Sequence, residues 1–391
     1  MTPELHTIPG HRAVETLVAK LRRRQVVGSR EAALETALVL RQVVSKARFS
    51  NIQQLITVIR EVGRRLAEAQ PKEHSVGNTV RRVLHNVREE YNSATKGSAA
   101  ASRNVYSISK FVLQGQPRKH TANAAKSDAR ITLKENDADD PDSFARALKP
   151  VLMEAIQDVL DELETVYDNV SKNAKDHIHS DEIILTIGHS KTVEAFLKSA
   201  GHYRNYTVIV AETAPSYQGH EMARSLSASG ISTFLVPDSS IFAIMSRVNK
   251  VILGAHAILA NGGLFAISGS LLAATAARAH STPVVVCAGQ FKLTPLWNLY
   301  HEHGALDFAD PSSVLGFEEG KLVERVDVVN PYYDYVGPEL VDVFITNDGD
   351  HPPSSVYRYV PFAPMYMPDS CADGRPDRLS SPPFPFFFDA G

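Results

Sequence analysis

The residues best suited to chemistry fall in a few short stretches. Gly188-His189-Ser190-Lys191-Thr192 sits at a strand-to-helix turn, where a hydrolase would keep a serine nucleophile. The nucleophile elbow needs glycine two residues after the serine, and this chain has Thr192, so Ser190 reads better as a helix cap. Glu212, His220, Glu221 and Asp238 supply the residue types of general acid–base catalysis near the ends of successive strands. His220 and Glu221 also open a helix, where the macrodipole favours an acidic residue without any catalytic role. Lys250 to Ser270 reads as a buried strand, a glycine-marked crossing through Asn261-Gly262-Gly263, and Ser268-Gly269-Ser270 opening an alanine-rich helix. That helix N-terminus could hold an anion, yet the stretch carries no reactive side chains of its own. His177-x-His179 and His301-x-His303 lack the cysteines or carboxylates that would complete a zinc site. Gly320-Lys321 has Leu315 where a phosphate loop needs its first glycine, and no dinucleotide fingerprint follows any strand. No metal and no cofactor is expected.

The elements that must position these residues follow from periodicity. His11–Arg24 places Val14, Leu17, Val18 and Leu21 at helical spacing, and Ser29 is suited to cap a second helix through Lys46. Asn51 is suited to cap a third, ended by Pro71, and Val76–Tyr91 makes a fourth with Val80, Val83, Leu84 and Val87 on one face. The expected organisation is an all-helical domain over 10–92 and a loop or disordered excursion over 93–141, with one short helix near Ile108–Leu113. A long connecting helix over 142–180, a sheet domain over 181–361 and a disordered tail over 362–391 follow. Six strand-like runs, Ile183–Ile187, Thr207–Ala211, Thr233–Val236, Lys250–Leu253, Pro283–Cys287 and Asp342–Thr346, alternate with helix-length segments. That alternation predicts a Rossmann-like, doubly wound and mostly parallel α/β domain, whose ligand crevice lies beyond the carboxyl ends of its strands.

Composition is that of an ordinary globular protein, with 43% hydrophobic and 22% charged residues among 391. No apolar run is long enough for a bilayer, and no export signal opens the chain, so a cytoplasmic protein without membrane contact is expected. Two cysteines, Cys287 and Cys371, are too few for a disulfide framework to organise the chain. Net charge is −3, but residues 1–120 carry 21 Lys and Arg against 9 Glu and no Asp, leaving the remainder acidic. The basic clusters Arg22-Arg23-Arg24, Arg64-Arg65 and Arg81-Arg82 are candidates for a phosphorylated or acidic partner, with a solvated helix surface the plainer alternative. No nucleic-acid recognition motif accompanies them, so direct nucleic-acid binding is not expected. Tyr332, Tyr333, Tyr335, Phe344, Tyr357 and Tyr359 form an aromatic block suited either to a subunit interface or to covering the chain's own sheet.

Longer blocks carry a resemblance. VGNTVRRVLHNVREEY (Val76–Tyr91), TIGHSKTVEAFLKSA (Thr186–Ala200), VIVAETAPSYQGHEMA (Val208–Ala223), FAIMSRVNKVILGAHAILANGG (Phe242–Gly263) and PELVDVFITNDGDHPPSSVYRYV (Pro338–Val360) resemble the beta subunits of eukaryotic translation initiation factor 2B. The resemblance covers roughly residues 12–92 and 144–361. It implies a regulatory, non-catalytic subunit of a guanine nucleotide exchange complex, on a scaffold similar to methylthioribose-phosphate isomerases. The implied partners are the alpha, gamma, delta and epsilon subunits, together with the phosphorylated alpha subunit of initiation factor 2. It also implies that the isomerase groups are missing: the catalytic cysteine position is Gly188, the catalytic aspartate is His256 in Gly254-Ala255-His256, a second aspartate is Gly263, and the phosphate-holding Asn-Lys pair is Ala266-Ile267. On this reading Gly188, His189, Ser190, His220, Asp238, His256, Asn261, Gly263, Ala266 and Ile267 mark a degenerate crevice. The rival expectation is a sugar-phosphate isomerase working there.

Overall fold

The computed structural model describes residues 10–49, 51–99, 141–297 and 307–360. The expectations for 100–140 and 361–391, and the residues His301, His303 and Cys371, lie outside these. Four helices form where the apolar spacing predicts them: α1 (His11–Arg22), α2 (Ser29–Lys46), α3 (Ile52–Ala69) and α4 (His74–Ala99). Val14, Leu17, Val18 and Leu21 of α1 are buried together with Leu55, Ile59, Val62 and Leu66 of α3, so each apolar stripe faces the inside of the bundle. Asn51 caps α3 as expected, its Oδ1 accepting from Gln53 N at 3.0 Å. Ser29 does not cap α2. Gly28 takes the cap position and leaves the Ser29 hydroxyl for another partner. Helix α4 runs through Ala99, beyond the expected end at Tyr91, since Ser93 to Ala99 contains no proline to stop it.

The connecting helix α5 (Pro141–Ser171) carries Pro150 inside it and is followed by the short α6 (Ala174–His177). Its buried face, Leu148, Leu152, Ile156, Val159 and Leu163, packs against α2 and α4, and further along the helix meets α7 (Lys191–Gly201). One helix therefore serves both the helical module and the sheet.

Strands β1 (Ile183–Ile187), β2 (Thr207–Ala211), β3 (Ser232–Val236), β4 (Lys250–Gly254), β7 (Val284–Cys287), β10 (Val343–Thr346) and β11 (Gly349–His351) form one sheet in the order β11-β10-β7-β4-β1-β2-β3. Every pairing is parallel except β10 with β11. Helices α7, α8 (Gln218–Ala228), α9 (Ile241–Met245) and α10 (Ser270–Ala279) provide the crossovers. Central strands are apolar on both faces, as a sheet covered on both sides requires. Edge strand β3 differs, leaving Phe234 and Leu235 exposed.

A second sheet, absent from the sequence reading, has the order β8-β5-β6-β9, from β5 (Ala257–Leu259), β6 (Leu264–Ile267), β8 (Leu293–Thr294) and β9 (Tyr333–Val336). The crossing expected between Gly254 and Ser270 is thus an antiparallel hairpin pairing Ala257 with Phe265 and Ile258 with Leu264. Gly262, at φ +83°, makes its turn. Both arms are apolar without alternation because both of their faces are buried.

Candidate functional site

Strand order reverses between β1 and β4, so the crevice of this sheet opens beyond Gly188 and Gly254. The chain fills it with its own side chains. Gly188 has φ +66°, and a Cβ placed there would lie 2.8 Å from Cδ1 of Ile267. Its N–H donates to Thr213 Oγ1 at 2.9 Å. A Cβ on Gly254 would lie 2.6 Å from both Cβ and Oγ of Ser190. Ser190 is the cap of α7, accepting from Val193 N at 3.5 Å. A Cβ on Gly263 would meet the Tyr335 hydroxyl at 2.5 Å. Asn261 organises that contact, donating from Nδ2 to the Tyr335 hydroxyl at 3.1 Å and accepting from Gly263 N at 3.1 Å. Ala266 is fully buried and stands opposite Asp334 in the β6–β9 pairing.

Asp334 also answers the anion expectation for the helix beginning at Ser270. Its Oδ2 accepts from Gly269 N at 2.7 Å and Leu271 N at 3.2 Å, so the positive end of α10 already has a carboxylate. Sequence reasoning missed Asp334, because only the pairing of β9 with β6 brings residues 63 to 65 positions apart into contact.

His256 is a structural junction. Its Nε2 faces the Lys72 carbonyl at 3.0 Å, and a carbonyl only accepts, so Nε2 carries the proton. Nδ1 then takes the Ser29 hydroxyl at 3.2 Å, and the ring stacks on Tyr333 with centroids 4.1 Å apart. The imidazole thereby ties α2, the turn leading into α4, and the second sheet together. Beside it, His74 stacks on Phe265 at 5.9 Å. Burial first, then the neighbouring His256, Lys72 and Arg81, push its pKa down to about 4. Lys292 Nζ donates to the Ala255 carbonyl at 2.6 Å, and burial brings its pKa down to about 8.

The remaining expected crevice groups do not converge. Asp238 accepts from Thr213 N at 2.9 Å and Ala214 N at 2.7 Å, fixing the loop after β2. His220 is exposed against the Tyr217 ring. His189 lies between Glu194 at 2.8 Å and Glu221 at 3.6 Å. Glu194 also takes hydrogen bonds from Lys198 and Ser225. Burial opposes its ionisation, but those partners and His189 hold its pKa down to about 2. Lys198 Nζ donates to Glu194 at 2.7 Å and to Ser225 Oγ at 2.8 Å, which closes a local network on α7 and α8. His177 pairs with Asp350 at 2.8 Å and His179 with Glu182 at 3.3 Å. Cys287 is fully buried, and burial raises its thiol pKa, so it is no nucleophile. Among the described residues no group of three or more His, Cys, Asp or Glu is placed to hold a metal, and no helix is long and apolar enough to cross a membrane.

The basic clusters divide. Arg64 binds Glu61 and Glu68, Arg65 binds Glu15 at 2.7 Å, Arg82 binds Glu162 at 3.0 Å, and Arg81 donates to Asn78 at 2.8 Å. Arg24 binds Asp307 at 2.6 Å. Arg22 and Arg23 are exposed, and among the described residues neither has an ion-pair partner. An open cleft of about 620 Å³ lies between α1 and α2, away from the crevice. The aromatic block divides likewise. Phe344 is core at 1% exposure and cannot present itself to another subunit. Tyr333 and Tyr335 close the crevice, Tyr359 packs on His351 at 4.0 Å, and Tyr332 and Tyr357 remain exposed.

Known proteins resemble this chain in sequence and fold. The model of the initiation factor 2 subunit family matches residues 25–353. The translation initiation factor eIF2B subunit beta of Schizosaccharomyces pombe is 44% identical, over 90% of this chain and 95% of that protein. The same-named protein of Dictyostelium discoideum is 42% identical, over 88% and 93%. A ribose 1,5-bisphosphate isomerase of Thermococcus kodakarensis is 24% identical over 86% of this chain and 90% of that one. The crystal structure of eIF2B beta from Chaetomium thermophilum superimposes with a TM-score of 0.66 at 30% identity, covering 91% of this chain and 93% of that one. The chain in the tetrameric eIF2B-beta2-delta2 complex from C. thermophilum gives 0.64 at 29% identity, covering 94% and 99%. With its crevice closed by its own residues and its relatedness spanning nearly the whole chain, this protein belongs to the initiation factor 2 subunit family.

Proposed function

We propose that this chain is a regulatory, non-catalytic beta-type subunit of the initiation factor 2B exchange complex, working in the cytoplasm by assembly and binding. One observation carries the reading. The places where isomerase-type relatives are expected to hold reactive groups are here held by packing: Ile267 against Gly188, Tyr335 against Gly263, and His256 committed to Ser29 and Lys72. The substrate's space is gone along with the catalysts.

The chain assembles with a delta-type sister subunit, as the C. thermophilum relative does, and with the alpha, gamma and epsilon subunits. Edge strand β3 suits such pairing, because its Phe234 and Leu235 lie exposed at the sheet's edge. The helical module then meets the alpha subunit of initiation factor 2 and reads its phosphorylation. Arg22 and Arg23 are suited to that task, since the carboxylates that occupy Arg24, Arg64, Arg65 and Arg82 leave them uncommitted.

Co-expression with the delta subunit, with mass measured by light scattering, tests the assembly. The expected result is a stable hetero-oligomer. A chain that stays alone, yet turns over ribose 1,5-bisphosphate or methylthioribose 1-phosphate, would establish the isomerase instead. Arg22→Glu with Arg23→Glu should weaken binding of the phosphorylated alpha subunit at low salt by about tenfold or more. Unchanged binding removes that site from the reading.

A further inference from the structure

Helix α4, helix α5 and the loop after β7 meet in a polar joint. Arg82 of α4 pairs with Glu162 of α5 at 3.0 Å, and the second oxygen of Glu162 accepts from Asn347 Nδ2 at 3.3 Å. Asn347 Oδ1 in turn accepts from Gln290 N at 2.9 Å. Asn78, one turn before Arg82, donates to the Phe291 carbonyl at 3.1 Å. A continuous hydrogen-bonded chain therefore runs from the helical module to the turn between β10 and β11.

Within this joint lies a cavity with about 30 Å³ open to the centre of a water molecule, and Thr79, Arg82, Val159, Glu162, Gln290 and Tyr359 help to line it. Arg82 is half exposed, yet its Nε is closed off from solvent, and among the described residues that atom has no hydrogen-bond partner. A guanidinium keeps its protons throughout the working pH range, so the buried Nε–H always needs an acceptor. Buried Thr79 has given its hydroxyl proton to the Ser75 carbonyl at 2.8 Å, which leaves its oxygen able to accept. Gln290 and Tyr359, whose side chains can both donate and accept, complete the polar lining.

Size and lining together select the occupant. An apolar molecule would leave the arginine N–H unsatisfied, an anion would meet the Glu162 carboxylate, and a cation would meet the guanidinium. Water gives and takes hydrogen bonds at once, and this volume has room for about one or two molecules. We propose that the cavity is a water site, and that the water accepting from Arg82 Nε is a structural member of the joint between helical module and sheet.

A high-resolution crystal structure of the full chain should show an ordered water within about 3.2 Å of Arg82 Nε. Val159→Ile gives an independent reading, because it adds one methyl group to the cavity wall. In a dry cavity that group gains packing and raises the melting temperature. In a hydrated one it displaces the water, strands the arginine N–H and lowers the melting temperature by about 2 °C or more. The same change in an Arg82→Met/Glu162→Leu background should lower it less, since no N–H is left to strand, and this separates loss of water from steric strain. An empty cavity in the crystal, or a Val159→Ile chain that melts higher, overturns the inference. Equal losses in the two backgrounds overturn the structural role. An anomalous signal at the site in bromide-soaked crystals would assign an anion there and overturn the choice of ligand.

Discussion

At the crevice beyond β1 and β4, Ile267 and Tyr335 are pressed against glycines so closely that a single added carbon at Gly188 or Gly263 would collide. On the 307–332 loop, Phe317 and Val329 touch little and face solvent. The crevice sets its large side chains on paired strands and packs them, whereas the loop sets its own on irregular backbone and exposes them. Tight packing of this kind leaves a concave site little room for a ligand, whereas exposed apolar side chains among charges are the features that suit another protein. The crevice should therefore be intolerant of change in stability measurements, and the loop tolerant.

The sharpest way to break that comparison is to put back what the crevice lacks. Gly263→Asp should cost about 3–5 kcal/mol, because Tyr335 must move and a carboxylate is buried beside it. Gly188→Cys should cost about 2–4 kcal/mol through the Ile267 collision and the positive φ. Adding Ile267→Ala should recover about half of the Gly188→Cys loss, a coupling that chemical denaturation of the four variants reads directly. Neither replacement should create isomerase turnover. An unchanged melting point in either would show that the crevice is open and the comparison mistaken.

Acid should act next most strongly. His74 is neutral in the folded chain down to about pH 4, whereas the unfolded chain takes up its proton near 6.5. The unfolded state therefore binds more protons between those values. Stability is complete above 6.5 and declines as pH falls toward 4, by about 3 kcal/mol at most. Urea unfolding across that range should show the slope, and His74→Phe should flatten it.

His256→Leu should cost about 2 kcal/mol, since it strands the Lys72 carbonyl and the Ser29 hydroxyl. A cycle with Ser29→Ala should give a coupling of about 1 kcal/mol. Independent, additive effects would mean that the two modules are not joined there. Smallest of all, Arg24→Ala should cost under about 1 kcal/mol of stability, because the arginine side chain of the pair is 46% exposed and salt screens it. Its larger effect should appear as faster hydrogen exchange at Ala309 and Tyr332, whose N–H groups donate to the Asn330 and Asp307 carbonyls.

Much of this architecture was legible in the residues. The stripes of α1 and α3, the cap at Asn51, the cap at Ser190 and all six parallel strands followed from local spacing and capping chemistry. The β5–β6 hairpin did not, because strands buried on both faces lose the alternation that identifies a strand. The fates of Ser29 and His256 were also hidden, since each is the other's partner across 227 residues. The same holds for the arginines: Arg82 reads as a free cation until Glu162, 80 residues on, is folded against it. The resemblance located the positions whose chemistry is missing; only the folded chain shows Ile267, Tyr335 and Asp334 standing in the space.

The ion pair between Arg24 and Asp307 sets an order of events during synthesis. Arg24 leaves the ribosome early, but Asp307 follows only 283 residues later, so the pair cannot form until most of the chain has been made. His256 likewise waits 227 residues behind Ser29. At domain-wide synthesis rates of roughly 5–20 residues per second, the helical module spends tens of seconds with these contacts unmade. The segment from Asp307 to Tyr332 can close its own hydrogen bonds only after Tyr332 has been made, with β10 and β11 still to follow.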